Sequence, residues 1–395
     1  MTAHPADTAG ADARMPRNVK VLAWVSFFND TATEMSYWLL PQFLVGVLGA
    51  GTMAFGLIEG AAETVASLGR LVSGLISDRW KRRKPLVVAG YTVANIVKPF
   101  LAVCQSWQQV FWIRFADRAA KGVRAAPRDA LIADSIAPSQ RGSAFGFRQA
   151  MDSAGAIAGP LSALALLPLL SGNVRSVFWI AAVPGLVSIL LAWFALQELR
   201  PRTVPAEEAR KEHLGPLPEK RRPLMLVLAG VSLFSLGNSS DLFLVLRAQN
   251  LGVRASAAAG LGLVFNLVYA ALSWPAGKLS DRVPRRLVVV LGYAVYAVVY
   301  LGFALAHSTR VVWLLFAVYG TYYALTEGVL RAWIADLVPS RSRATVFGLL
   351  NWVVGVAAFP ASVLAGWLWQ HYSPATPFFV SSGLALGAAV ILLLA

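Results

Sequence analysis

The chain has 395 residues, of which 57% are hydrophobic and only 14% charged, and it carries a formal net charge of +15. A soluble protein of this size is about a quarter charged, so this composition cannot cover its own surface in water. A bilayer removes the conflict, because apolar side chains then face lipid.

A polar leader occupies residues 1–20. The first apolar run starts near Val21 and carries Asp30 and Glu34, which is unlike the core of a cleavable signal peptide, and it reads as a retained membrane helix. A span needs about 20 mostly apolar residues. Windows between charged or Pro/Gly-rich breaks predict six spans, at 21–48, 52–77, 85–105, 107–135, 142–170 and 174–197. After a polar linker over 200–222, six more are expected at 223–249, 255–278, 286–306, 310–337, 343–369 and 375–394. The chain thus divides into bundles at 21–199 and 223–395, an all-α membrane protein. Cys104 is the single cysteine, so no internal disulfide can form.

Basic residues set the orientation. With a cytoplasmic N-terminus, the inside segments hold twenty-one Lys and Arg, and the outside loops only Arg175, Arg254 and Arg310. Both termini are therefore expected in the cytoplasm of a prokaryotic plasma membrane. Much of the positive charge is then a topology signal, and no nucleic-acid partner is expected.

The chain repeats itself at half its length. Ser77–Asp78–Arg79 recurs as Ser280–Asp281–Arg282, and Ile132–Ala133–Asp134 as Ile334–Ala335–Asp336. Arg141, Phe145 and Gly146 recur as Arg343, Phe347 and Gly348. One period of half a chain marks a duplicated six-helix unit in parallel orientation.

Gly74, Asp78, Arg79, Arg82 and Arg83 fall in a run that resembles the loop 2–3 signature Gly-x-x-x-Asp-Arg-x-Gly-Arg-Arg of the major facilitator superfamily, with Lys81 at the second glycine. Gly277 to Arg286 repeats it. Arg118 to Arg124 is similar to that superfamily's helix 4 signature, with Lys121 and Arg124 replacing Gln and Gly. Gly155, Gly159 and Pro160 match the core of a helix 5 motif associated with drug/proton antiporters. The resemblance spans almost the whole chain and points to a poorly characterised prokaryotic branch. It implies twelve helices in two six-helix bundles. It also implies a cytoplasmic gate built from Asp78, Arg79, Arg82, Asp281 and Arg282, with the helix 5 glycines and Pro160 serving conformational switching.

Charges inside the spans carry the functional argument, since each costs roughly 2.5–3.5 kcal/mol at a helix centre facing lipid. In the fourth span, positions 114, 117, 121, 124 and 128 form one polar stripe at helical spacing. Arg114, Asp117, Arg118 and Lys121 are read as substrate contacts, and Arg124, Arg128, Asp129 and Asp134 as grips on neighbouring helices. Asp30 and Glu34, one turn apart, are either proton carriers or permanent partners of a base such as Arg148. Asp152 joins them as a proton-coupling candidate, four residues after Arg148, itself a substrate candidate. Asn238 and Asp241 are second-half candidates, as are Glu327 and Arg331, with Arg331 foremost the partner of Glu327. Glu59 and Glu63 are placed at the seam between bundles. Tyr37, Trp38, Trp352 and Phe359 are candidate cavity aromatics.

No Walker loop and no metal-spaced His/Cys cluster is visible, so neither an enzyme, a cofactor nor a metal is expected. The resemblance implies secondary active transport by a monomer, with a small molecule, protons and the lipid bilayer as partners. The helix 5 motif and Asp30/Glu34 favour proton-coupled efflux of a polar or ionised organic molecule. The basic stripe favours uptake or exchange of an organic anion instead, and a non-transporting receptor is the third reading.

Overall fold

The computed structural model describes residues 15–80, 82–136, 141–198, 221–338 and 343–395. Twelve helical segments cross back and forth among the described residues. The first six are α1 Arg17–Tyr37, α2 Thr52–Trp80, α3 Lys84–Val103, α4 Trp107–Asp134, α5 Arg141–Leu169 and α6 Val174–Ala195. The second six are α7 Arg222–Asn250, α8 Ala258–Arg282, α9 Arg285–Leu305, α10 Thr309–Leu337, α11 Arg343–His371 and α12 Thr376–Leu393. Each set of six forms one bundle. The start of α1 and the ends of α6 and α12 share one side, called here the terminal face; the other is the distal face. Most of the expected 200–222 linker lies outside the described residues.

Eight helices are long and apolar enough to cross a membrane by composition alone. The other four, α1, α2, α4 and α10, carry the polar positions that the composition test penalises. Several of their charged residues, Asp30, Glu34, Arg70, Lys121, Glu327 and Arg331 among them, line the space between the bundles, where charge is tolerated.

Four described spans depart from uninterrupted helices. The first is an α-helix only to Tyr37 and ends as a π-helical turn over Gln42–Val47, just after Pro41, whose missing N–H disrupts the ladder. The third tightens to a 3-10 helix over Lys98–Val103, where Pro99 stands. The sixth is broken at Ala181 and ends as a π-helical turn over Leu191–Ala195. The seventh is broken midway: one half ends at Gly237 and the other begins at Leu242, with Asn238–Ser239–Ser240 in neither.

Glycines set the closest crossings within the first bundle. A β-carbon on Gly122 would lie 2.6 Å from the Ala66 carbonyl oxygen and 2.9 Å from Gly69 Cα, so α2 and α4 touch backbone to backbone. Gly155 and Gly159 do the same for α5 on α1, where a β-carbon would meet Phe27 O at 2.6 Å and Thr31 O at 2.8 Å.

Between the bundles, contacts seal the distal half. Thr52 Oγ1 donates to Gly366 O at 3.1 Å and Thr64 Oγ1 to Gly355 O at 2.9 Å. Phe55 meets Phe243 edge-on, and Trp38 of the first bundle packs between Phe265 and Phe316 of the second. Toward the terminal face the bundles part. A β-carbon on Gly146, Gly277, Gly328 or Gly348 would meet nothing within 4 Å. The cavity is therefore closed distally and open at the terminal face.

Gly122→Val is expected to lower the thermal unfolding midpoint in detergent, as overpacking by about 1–3 kcal/mol would. Gly146→Ala, with open space around it, is expected to leave the midpoint unchanged; equal loss in both would refute the packing assignment.

Candidate functional site

The space between the bundles holds connected chambers. One of about 380 Å³ is walled by Asp30, Glu34, Lys121, Arg148, Asp152 and Arg331, among others. It shares Gln149, Glu327 and Arg331 with a second of about 580 Å³ that opens between α8 and α10. A deeper chamber of about 240 Å³ lies at the break in α7, between Tyr37, Asp241 and Ser362.

The first bundle presents a buried charge network. Arg114 Nε and Nη2 donate to Glu59 Oε1 at 3.0 and 2.8 Å, and Nη2 reaches Oε2 at 3.0 Å. Glu59 is fully buried and Arg114 is 5% exposed, so this bidentate pair sits in the dry region where charge must be matched on the spot. Asp117 lies 3.7 Å from both Arg114 Nη1 and Lys98 Nζ. Lys98 also donates to Thr33 Oγ1 at 2.7 Å and to the side-chain oxygens of Asn29 and Asn95 at 3.3 and 3.2 Å. Arg118 Nη2 stands 3.3 Å from Glu63 Oε1. The Tyr37 ring lies beneath both arginines, with guanidinium carbons 5.5 and 5.7 Å from its centre.

The second bundle answers with hydroxyls and a carboxylate. Tyr319 and Tyr323 donate to the two oxygens of Asp241 at 2.6 and 3.0 Å. Ser240 Oγ reaches across the seam to Glu59 Oε2 at 3.2 Å. Behind them, Phe234 stacks on Tyr293 at 4.0 Å and Tyr296 on Tyr300 at 3.9 Å, which fixes the wall that carries Asp241. Tyr269 donates to Glu327.

The candidates named from the sequence divide clearly. Asp30 accepts from Asn29 at 2.9 Å and Glu34 from Trp38 at 2.7 Å, but neither has an ion-pair partner among the described residues. Arg148 does not hold them: it pairs with Asp152 at 2.5 Å. Gly155 and Gly159 stand directly behind Asp30 and Glu34 on α5, within the first bundle, with Pro160 buried beside them. The expected Glu327–Arg331 pair does not form, because Glu327 turns to Tyr269; a helical four-residue spacing permits a pair without requiring one. Arg331, Lys121 and Arg70 line the open chamber with no carboxylate at ion-pair distance among the described residues.

Of the residues read as grips on neighbouring helices, Arg124 and Asp134 reach one, while Arg128 and Asp129 pair with each other on α4. Arg124 stacks on the Tyr91 ring at 4.5 Å, Arg128 meets Asp129 at 3.0 Å, and Asp134 meets Arg83 at 2.6 Å. The second half repeats this last contact, with Arg285 on Asp336 at 2.7 Å. Of the gate candidates, Arg79, Arg82, Asp281 and Arg282 are exposed at the terminal face, and the Asp78 side chain lies outside the described residues. Trp38 is buried in the distal seam, whereas Trp352 and Phe359 are 48% and 39% exposed.

Sequence reasoning missed the centrality of Lys98 and of the tyrosines. Lys98 stands next to Pro99 in an otherwise apolar span, a signal that was available. The tyrosines repeat as Tyr319, Tyr322 and Tyr323 on one side of α10, which reads as ordinary packing until Asp241 is placed against it.

The profile of the Major Facilitator Superfamily matches residues 22–246 and 227–395. An uncharacterised MFS-type transporter of Methanocaldococcus jannaschii is 34% identical over 388 residues, covering 97% of this chain and 96% of that protein. A protein of Cupriavidus pinatubonensis, named a probable 4-methylmuconolactone transporter, is 25% identical over 319 residues, covering 79% of this chain and 72% of the other. Among solved structures, a bacterial homologue of the human lysosomal transporter Spinster, inward-facing and unoccupied, superposes with a TM-score of 0.70 at 15% identity, covering 97% of this chain and 96% of that one.

Arg114→Gln strands the Glu59 charge in the dry seam and is expected to destabilise the protein by about 3–5 kcal/mol. The double change Arg114→Gln with Glu59→Gln is expected to recover most of that loss in denaturant unfolding. Additive losses would show that the two side chains do not act as a pair.

Proposed function

The chain belongs to the major facilitator superfamily of membrane transporters, and from that premise we propose that it works by alternating access as a proton-coupled exporter of a small ionised organic molecule. The observation that carries this reading is the content of the open chamber. Among the described residues, three carboxylates, Asp30, Glu34 and Glu327, and three cations, Lys121, Arg331 and Arg70, line it without ion-pair partners, and a fourth cation, Arg124, is matched only by the Tyr91 ring. Groups left unmatched in an otherwise paired network are the ones available to a substrate and a proton.

The chemistry follows from solvation. While the chamber is open, water stabilises both kinds of charge. On closure the water leaves, and a carboxylate that gains no cation is neutralised by a proton. The cations meanwhile are matched by an anionic group of the substrate. Proton and substrate then compete or cooperate through the shared field of one chamber, a coupling that needs no direct contact between them.

The positive-inside rule supports placing the terminal face, with both termini, in the cytoplasm of a prokaryotic plasma membrane. On that placement the present state is inward-facing, and its exposed Arg79, Arg82, Asp281 and Arg282 are gate residues in their separated arrangement. The bundles 21–199 and 223–395 are the two moving bodies, joined by the 200–222 segment, and the unit is a monomer.

A second reading, uptake or exchange of an organic anion, is favoured by the three unmatched cations. The two differ in what the carboxylates do. In proteoliposomes with an imposed proton gradient, the export reading expects a transported organic acid to move against its own gradient only with opposite proton flow. Asp30→Asn with Glu34→Gln should lower that proton-driven flux at least about tenfold, the ordinary scale for loss of a required proton group. Undiminished proton-driven flux in the double variant would remove the coupling assignment, and sodium-like indifference to pH with intact exchange would favour the second reading.

A further inference from the structure

The break in α7 places a carboxylate where no described lining residue is a base. Asp241 lines the deep chamber, and no Lys, Arg or His is among the residues that wall it. The nearby charged side chains are themselves acids: Glu63 lines the same chamber, and Ser240, next to Asp241, donates to Glu59 at 3.2 Å. Each of those already holds its own base, Arg118 at 3.3 Å and Arg114 at 2.8 Å. The hydroxyls of Tyr319 and Tyr323 orient the carboxylate but leave its charge in place.

The surroundings supply oxygen. Asn238 Oδ1 is buried and accepts no hydrogen bond. Ser235, Ser239 and Ser240 line the same space. The first half of α7 ends at Gly237, whose carbonyl accepts from Tyr296 Oη at 3.2 Å and from Ser239 N at 3.2 Å, and the partial negative charge of this helix C-terminus favours a cation. The second half begins at Leu242, and its positive end offsets part of the Asp241 charge, yet the Asp241 side chain makes no capping bond to it. A carboxylate, an amide oxygen and hydroxyls, with no nitrogen or sulfur ligand, are donors for a hard monovalent cation.

We propose that the break in α7 is a binding site for a desolvated monovalent cationic group, either Na⁺ itself or a primary ammonium. Asp241 supplies the charge, Asn238 Oδ1 and the serine oxygens supply the remaining contacts, and Tyr319 and Tyr323 hold the carboxylate toward the chamber. Lys121 and Arg331 stand outside this site in the open chamber, beside Asp30 and Glu34, so that the cavity offers an acid at its deep end and cations among acids nearer the mouth. A substrate that carries an ammonium at one end and an anionic group at the other would span it. The inference deepens the transport reading, since Asp241 lines the same cavity, but binding alone tests it.

The test is thermal unfolding of the purified full chain in detergent at mildly alkaline pH and constant ionic strength. Chloride salts of Na⁺, methylammonium and the bulky N-methylglucamine are the probes. Na⁺ or methylammonium is expected to raise the midpoint saturably by several degrees over N-methylglucamine. Response to Na⁺ assigns a free ion, and response to methylammonium alone assigns the ammonium end of a substrate. The shift is expected to vanish in Asp241→Asn and to weaken in Asn238→Ala, which keeps the carboxylate and both tyrosine bonds. No shift with either cation overturns the proposal, as does a shift that survives in both variants. A midpoint that responds only to acidification gives the charge to a proton and also overturns it. Any of these failures would leave proton-driven transport in proteoliposomes untouched as a separate result.

Discussion

A charge placed in hydrocarbon is tolerated only where another charge, a ring of donors or water meets it at the same spot. The Glu59–Arg114 pair is the point at which this constraint organises the protein. Its carboxylate is wholly enclosed, its arginine nearly so, and a serine from the other bundle completes it. Arg114 in turn leans toward Asp117, Asp117 toward Lys98, and Lys98 ties α3 to Asn29 and Thr33 of α1. The polar interior of the first bundle is thus one connected network, built outward from a pair on the seam.

The same constraint explains why the network is incomplete where it faces the open chamber. There Asp30, Glu34, Lys121 and Arg331 line an open space that admits solvent and have no ion-pair partner among the described residues. The sealed half is held by matched pairs, aromatic packing and backbone contacts, Asp241 excepted; the open half holds ion pairs such as Arg148–Asp152 beside groups without an ion-pair partner among the described residues. Structure and solvation together separate what holds the bundle from what is available to bind. A transporter needs that separation, because its ligands must be able to leave.

Much of the architecture was legible in the residues. Hydropathy placed the spans, and the duplicated Ser-Asp-Arg and Ile-Ala-Asp landmarks gave the two halves, which now end α4 and α10 in the same acid–base contact. The helix 4 stripe divided differently from the expectation: Arg124 and Asp134 meet neighbouring helices, Arg128 pairs with Asp129 on its own helix, and Arg114, Asp117 and Arg118, read as substrate contacts, are held in ion pairs. Partner choice was not legible. Four-residue spacing suggested Glu327 with Arg331, yet Glu327 meets Tyr269 on another helix. Arg114 meets Glu59, which is distant in sequence, and no periodicity within one helix encodes a contact between two. The break in α7 was hidden for a related reason, since Asn238–Ser239–Ser240 is short, uncharged and flanked by strongly apolar runs.

The central claim is that one cavity between two bundles opens to alternate faces. Pulsed dipolar spectroscopy in lipid nanodiscs tests it most directly, with Cys104 replaced by serine. One spin-label pair sits at Gly146→Cys and Gly277→Cys on the parted terminal side, the other at Met53→Cys and Gln370→Cys on the sealed distal side, where the backbone of Met53 donates to Gln370 at 3.4 Å. The account predicts two populations whose distances move oppositely, the terminal pair shortening as the distal pair lengthens, with their ratio shifted by pH. A single unchanging distance for both pairs across pH would contradict it.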